Sequence, residues 1–173
     1  ITITTQPAST TVCEGSSVTF TVASTGTVSS YQWYRNDVVL AGATSSSYNV
    51  LAFSSNNGDK YKVMILGPCG NVQSSEATLT VNLKPVIMTS PANATKCIGE
   101  GHSFSVVATN VGTYQWQKNG VNIAGATGSG YFIPTLTAAD AGLYSVVIKG
   151  AGTCTSETVV SANAILTVNQ PIT

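Results

Sequence analysis

Few side chains of this 173-residue chain could carry chemistry: four cysteines, one histidine, seven carboxylates and many hydroxyls. A zinc site wants closely spaced Cys and His ligands, and no C-x-x-C is present. A reactive thiolate wants a histidine or a cationic neighbourhood. The single histidine, His102, aligns with Ser16 of an earlier segment, so a solvated place beside a turn is expected for it. Glu14, Asp37, Asp59, Glu76, Glu100, Asp140 and Glu157 stand apart from one another. Glycoside hydrolysis needs two carboxylates facing across a sugar, and calcium needs several oxygen ligands from one loop. Asn56-Asn57-Gly58-Asp59 comes nearest to such a loop and reads as a turn. Asn93-Ala94-Thr95 matches the glycosylation sequon. Serines are plentiful, but a lone histidine in one segment does not make a triad. No catalytic residue, cofactor or metal ligand is expected.

The elements that would hold any site are written twice. Tyr31-Gln32-Trp33, Asn36, Leu40-Ala41-Gly42-Ala43-Thr44 and Tyr48 return as Tyr114-Gln115-Trp116, Asn119, Ile123-Ala124-Gly125-Ala126-Thr127 and Tyr131, eighty-three positions later. A long fixed period marks repeated structural units, and each is long enough to be a small domain. Within each, apolar and polar residues alternate as in half-buried strands. Val18, Phe20 and Val22 alternate with Ser17, Thr19 and Thr21, and Phe104, Val106 and Ala108 are placed against them. Tyr61, Val63 and Ile65 alternate with Lys62, Met64 and Leu66. Asn36-Asp37, Asn56-Asn57-Gly58 and Gly67-Pro68-Cys69-Gly70 supply turn chemistry between the runs. No sustained helical stripe appears.

Seven or so short strands with a tryptophan on the third resemble an immunoglobulin-type sandwich. Tyr131-x-Ile133-x-x-Leu136-x-x-x-Asp140-x-Gly142-x-Tyr144 resembles the I-set signature, and Glu14-Gly15 and Glu100-Gly101 resemble that family's turn before strand B. Together with Cys-Glu-Gly, Tyr-Gln-Trp-Tyr and Ala-Gly-Ala-Thr, the chain is similar to the bacterial Ig-like repeats of long surface and secreted proteins. The resemblance implies an all-β fold of two tandem immunoglobulin-like β-sandwich domains arranged end to end. Trp33 and Trp116 become core residues, with Tyr61 and Tyr144 at the corner where a hydroxyl returns to upstream backbone. The first corner, Asn57-Gly58-Asp59-Lys60, departs from the pattern. Val22 and Ala108, with Val63 and Val146, stand where the family's inter-sheet cysteines would be. Domain limits are expected at 1–83 and 84–169, with a further repeat or linker starting at 170–173. Only Leu83, Lys84 and Pro85 lie between the last strand of one repeat and the first of the next.

Cys13 and Cys97 precede strand B, and Cys69 and Cys154 lie near the F–G turn. An even count at matching places implies oxidised pairs in an exported protein. Pairing within each repeat, Cys13–Cys69 and Cys97–Cys154, is slightly preferred because both halves carry both cysteines. The alternative is Cys13–Cys154, leaving Cys69 and Cys97 for neighbours. The resemblance favours the alternative on one count: the A–B and F–G turns of an Ig domain lie at opposite ends.

Charged residues are only 8% of the chain, and seven basic residues balance seven acidic ones. That excludes the basic stripe nucleic acid requires and a polybasic membrane patch. No apolar run approaches the ~20 residues of a membrane span. Tyr34, Met64 and Leu66 are expected on one outer sheet face as a possible contact surface. The reading is a non-catalytic extracellular module, secreted or cell-surface, acting as semi-rigid spacer or adhesion unit. Its partners would be neighbouring domains, with a polysaccharide or another surface protein as candidates. The alternative is a polysaccharide-binding accessory module of a glycan-degrading enzyme.

Overall fold

The computed structural model describes residues 1–170; the further repeat expected at 170–173 lies, from Pro171 onward, outside the described residues. The chain divides into two compact units, Ile1–Asn82 and Leu83–Thr173. The described residues form strands and three single-turn 3-10 helices, with no α-helix among them.

Unit 1 contains β1 (Thr2–Thr5), β2 (Thr10–Cys13), β3 (Ser17–Thr21), β4 (Ala23–Thr25), β5 (Ser30–Arg35), β6 (Val38–Val39), β7 (Ser47–Leu51), β8 (Lys60–Gly67), β9 (Gly70–Gln73) and β10 (Ala77–Asn82). One layer runs β2-β10-β8-β5-β6, with β9 also paired to β8. Strand β2 joins β10 in parallel, while β10, β8 and β5 are antiparallel. The second layer comes from one strand line interrupted at Val22: β3 pairs with β7 and β4 with β1.

Unit 2 repeats this with β11 (Val86–Thr89), β12 (Ala94–Cys97), β13 (His102–Ser105), β14 (Val107–Thr109), β15 (Val111–Lys118), β16 (Val121–Asn122), β17 (Gly130–Ile133), β18 (Gly142–Gly150), β19 (Thr158–Val160) and β20 (Ala164–Asn169). Its large sheet runs β12-β20-β18-β15-β16, again with a parallel β12–β20 pair. The smaller layer comes from β11 with β14 and β13 with β17.

The period-2 alternation fills each interior. In unit 1, Val18, Phe20 and Val22 face Trp33, Tyr61, Val63, Ile65, Leu79 and Val81. In unit 2, Phe104 and Val106 face Trp116, Leu136, Tyr144, Val146, Ile148 and Leu166. Both indoles are 0% exposed. Phe20 stacks on Tyr61 at 4.7 Å between ring centroids, and Phe104 on Tyr144 at 4.6 Å. Such offset pairs add to plain area burial.

The strand-B register expected for unit 2 is corrected by two residues. Phe20 lies opposite Tyr48, and Phe104 opposite Tyr131, so Phe104 is the counterpart of Phe20 rather than of Val18. Val106, 5% exposed, therefore fills the place of Val22, and Ala108 lies further along beside Ile87. The turn glycine matching Gly15 is Gly99, not Gly101: both have φ of 89°, a left-handed conformation that favours glycine.

Candidate functional site

The repeated Gln-Trp…Ala-Gly-Ala-Thr motif encodes a clasp around each indole. The Trp33 amide donates to Ala43 O at 3.0 Å, and Leu40 N donates back to Trp33 O at 2.9 Å. The indole Nε1 donates to Ser45 O at 2.8 Å, and Gln32 Nε2 bridges Trp33 O and Leu40 O. Unit 2 matches this bond for bond, with Trp116 Nε1 donating to Gly128 O and Gln115 Nε2 to Trp116 O and Ile123 O. Gly42 and Gly125 turn the clasp at φ of 77° and 74°. These tryptophans are buried and hydrogen-bonded, so neither presents a stacking platform.

Tyr34, Met64 and Leu66 fall on one sheet face. Tyr34 alternates with buried Trp33, and Met64 and Leu66 alternate with buried Val63 and Ile65. Lys62 stands opposite Tyr34, and its ammonium pairs with Asp37 and Glu76. The hydrogen bond from Lys62 holds the Asp37 carboxyl below its ordinary value. All three candidate side chains are half-buried. The strongly exposed apolar residues of unit 1 are Val38, Val39, Leu51 and Phe53. On unit 2 the corresponding face carries an open hollow of ≈ 430 Å³, whose lining mixes Gln115, Gln117, Asn122 and Lys149 with Tyr114 and Val147.

The two corner tyrosines differ. Tyr144 donates its hydroxyl to Asp140 O at 2.8 Å, and burial pushes its pKa up to about 12. The buried Tyr61 hydroxyl has no hydrogen-bond partner among the described residues. The 3-10 turns before the corners end at Asn56 and Asp140. Four residues separate Asn56 from Tyr61 and three separate Asp140 from Tyr144, so the first corner carries one extra residue. Asp59 there is tied to Arg35 and to Asn36.

The cysteines require a correction. Cys13 and Cys154 are disulfide-bonded, whereas Cys69 and Cys97 are free, exposed thiols. Pairing within each unit is thereby overturned. Cys13 sits beside Asn82, at the end of the sheet where β8 begins, and Cys69 lies in the turn after β8 ends. The eight residues of β8 span roughly 26 Å at ~3.3 Å each, far beyond the ~7 Å Cα limit of a disulfide. Cys97 beside Asn169 and Cys154 beyond β18 are divided in the same way.

The remaining candidates are held in structural roles. Asn56 accepts from Phe53 N and Asn57 from Val81 N, so neither side-chain oxygen is set aside for a cation. No group of three His, Cys, Asp or Glu side chains converges among the described residues. Asn93 Oδ1 accepts from Ile165 N. His102 is not a solvated turn residue: it lies on β13 with its ring edge-on to Phe104 at 4.4 Å, and its buried Nε2 has no hydrogen-bond partner among the described residues. Burial lowers its pKa. Sequence reasoning missed two buried serines. Ser74 Oγ accepts from Val63 N and donates to Ser75 O, and Ser161 does the same with Val146 N and Ala162 O. The only signal for them was a serine in both repeats shortly before the final strand. Among the described residues no helix is long and apolar enough to cross a membrane.

No family model matches the chain. It is 32% identical over 186 aligned positions to the muscle M-line assembly protein unc-89 of Caenorhabditis elegans, covering 94% of this chain and 2% of that protein. The chain thus spans a small fraction of the curated relative's length. Among solved structures, an I-band fragment of titin superposes with a TM-score of 0.75 at 16% identity, covering 98% of this chain and 65% of that one. Extracellular domains of Drosophila OTK give 0.64 at 15% identity, covering 96% and 61%. Two Ig domains of DIP-gamma give 0.64 at 15%, covering 96% of each chain. The fold is therefore all-β, with two tandem immunoglobulin-like β-sandwich domains. At these identities the likeness to the solved structures establishes the fold and nothing finer.

Proposed function

We propose that the chain is a non-catalytic, I-set-like tandem module of a bacterial cell-surface or secreted protein, acting as a semi-rigid spacer with adhesive contacts. The observation that carries the spacer reading is the joint. Strand β10 ends at Asn82 and β11 begins at Val86, leaving three residues between them. Lys84 is fastened to unit 2 at both ends: its carbonyl accepts from Asn110 Nδ2 at 2.9 Å and its ammonium pairs with Glu157 at 3.3 Å. Pro85 fixes its own φ and holds Lys84 extended. Little free chain remains to act as a hinge.

An extracellular setting is supported by the oxidised Cys13 and Cys154, since disulfides persist in oxidising compartments. The bacterial reading rests on the motif set; unc-89 and OTK, which the chain resembles, come from animals. Backbone 15N relaxation tests the spacer role. The two units tumble with one shared correlation time, and a Gly-Ser insertion after Leu83 separates their values. Independent tumbling of the unaltered chain contradicts the role.

The polysaccharide-binding reading is favoured by one feature, the hollow on the outer face of unit 2, where amide side chains lie beside Tyr114 and Val147. Retention on insoluble cellulose, chitin or xylan, lost in Gln117→Ala, would support that reading. Passage through all three leaves the spacer.

A further inference from the structure

The four cysteines fall into two kinds by place. Cys13 and Cys97 each end an edge strand that runs parallel to the last strand of its unit, in register with Asn82 and Asn169. Cys69 and Cys154 each lie in the connection that follows the unit's longest strand, the first in the β8–β9 turn and the second in a 3-10 turn after β18. One cysteine of each kind is oxidised, and the other of each kind is a free, exposed thiol. The unpaired set is therefore the complement of the oxidised one. Neither kind can be served from within its own unit, because the two kinds occupy opposite ends of the large sheet.

The geometry points to Cys97 and Cys69 as the two halves of an intermolecular disulfide, Cys97 of one copy bonding to Cys69 of a second copy. The bond is heterologous, so each joined copy still offers one thiol of the other kind. A head-to-tail contact of this sort extends as an open array unless the rotation closes it. The oxidant is an external disulfide such as oxidised glutathione. The Cys97 thiol loses its proton and attacks that disulfide, releasing one glutathione thiol and leaving a mixed disulfide. The Cys69 thiolate of the second copy then attacks the Cys97 sulfur and expels the second glutathione, which takes up the proton Cys69 lost. Two protein thiols and one small disulfide give one protein disulfide and two small thiols. The pairing does not depend on the spacer role, which relaxation measurements test on the monomer.

The test uses the full chain in a glutathione redox buffer, with non-reducing electrophoresis and peptide mapping. The unaltered protein gives a ladder of covalent oligomers containing a linked Cys97–Cys69 peptide. Cys69→Ser and Cys97→Ser each remain monomeric, and an equimolar mixture of the two gives a dimer and nothing larger. Both positions are exposed, so the variants keep the parent melting temperature, and that is measured alongside. The proposal is overturned if either variant alone dimerises as readily as the mixture, which indicates like-with-like coupling. It is equally overturned if Cys69 and Cys97 stay free, or take up only glutathione, while Cys13 and Cys154 remain oxidised.

Discussion

Tyr61 and Tyr144 hold equivalent places in the large sheets of the two units, and their hydroxyls have opposite energetics. That of Tyr144 replaces its lost water with the Asp140 carbonyl, whereas that of Tyr61 is buried with no partner among the described residues. A buried hydrogen bond contributes about 1 kcal/mol net, and an unsatisfied buried group costs a similar amount or more. Tyr144→Phe should therefore destabilise its unit by about 1 kcal/mol in denaturant titration, while Tyr61→Phe leaves stability unchanged or raises it. Equal losses would contradict the difference between the corners. At this scale the sequence was only partly legible. Trp33 and Trp116 stood out because their whole clasp repeats. His102 was misplaced because the two Glu-Gly dipeptides invited an alignment two residues out. Cys13 with Cys97 and Phe20 with Phe104 share a spacing of eighty-four and carried the correct register.

The second corner is a capped 3-10 turn. Asp140 accepts from both the amide and the hydroxyl of Thr137, and these bonds hold its carboxyl below the ordinary value of 3.8. Because the folded pKa is below the unfolded one, this stabilisation is complete above the unfolded value and is lost as pH falls through the folded one. The melting temperature of unit 2 should drop as pH goes below about 4. Asp140→Asn should lower it at neutral pH and flatten part of that acid dependence. An unchanged acid profile would remove Asp140 from the account. Alternation and turn residues made the strands legible. Asn36-Asp37 and Asn119-Gly120 form the two-residue hairpin turns, all four with positive φ as such turns require. The break at Val22 was not legible, because it arises where one strand changes partner from β7 to β1. Nor was the extra residue of the first corner, since deciding which of Asn56 and Asn57 corresponds to Asp140 needed the turn itself.

Across the whole chain, repetition gave the number of units and their class, because a period this long leaves each half able to close its own core. The cysteine states were not legible: four thiols allow three pairings, and the decisive fact was which sheet end each occupies. No disulfide joins the two layers of either sandwich; Val22 and Val63, or Val106 and Val146, pack beside the indole instead. Each core should then be indifferent to the oxidation state of the cysteines. The chain has only two tryptophans, one in each core and both fully buried. Tryptophan emission and acrylamide quenching, recorded before and after complete reduction without denaturant, read both interiors at once. The account predicts blue-shifted, poorly quenched emission that reduction leaves unchanged. A red shift with full quencher access on reduction would show that a disulfide, rather than apolar packing, holds the layers together.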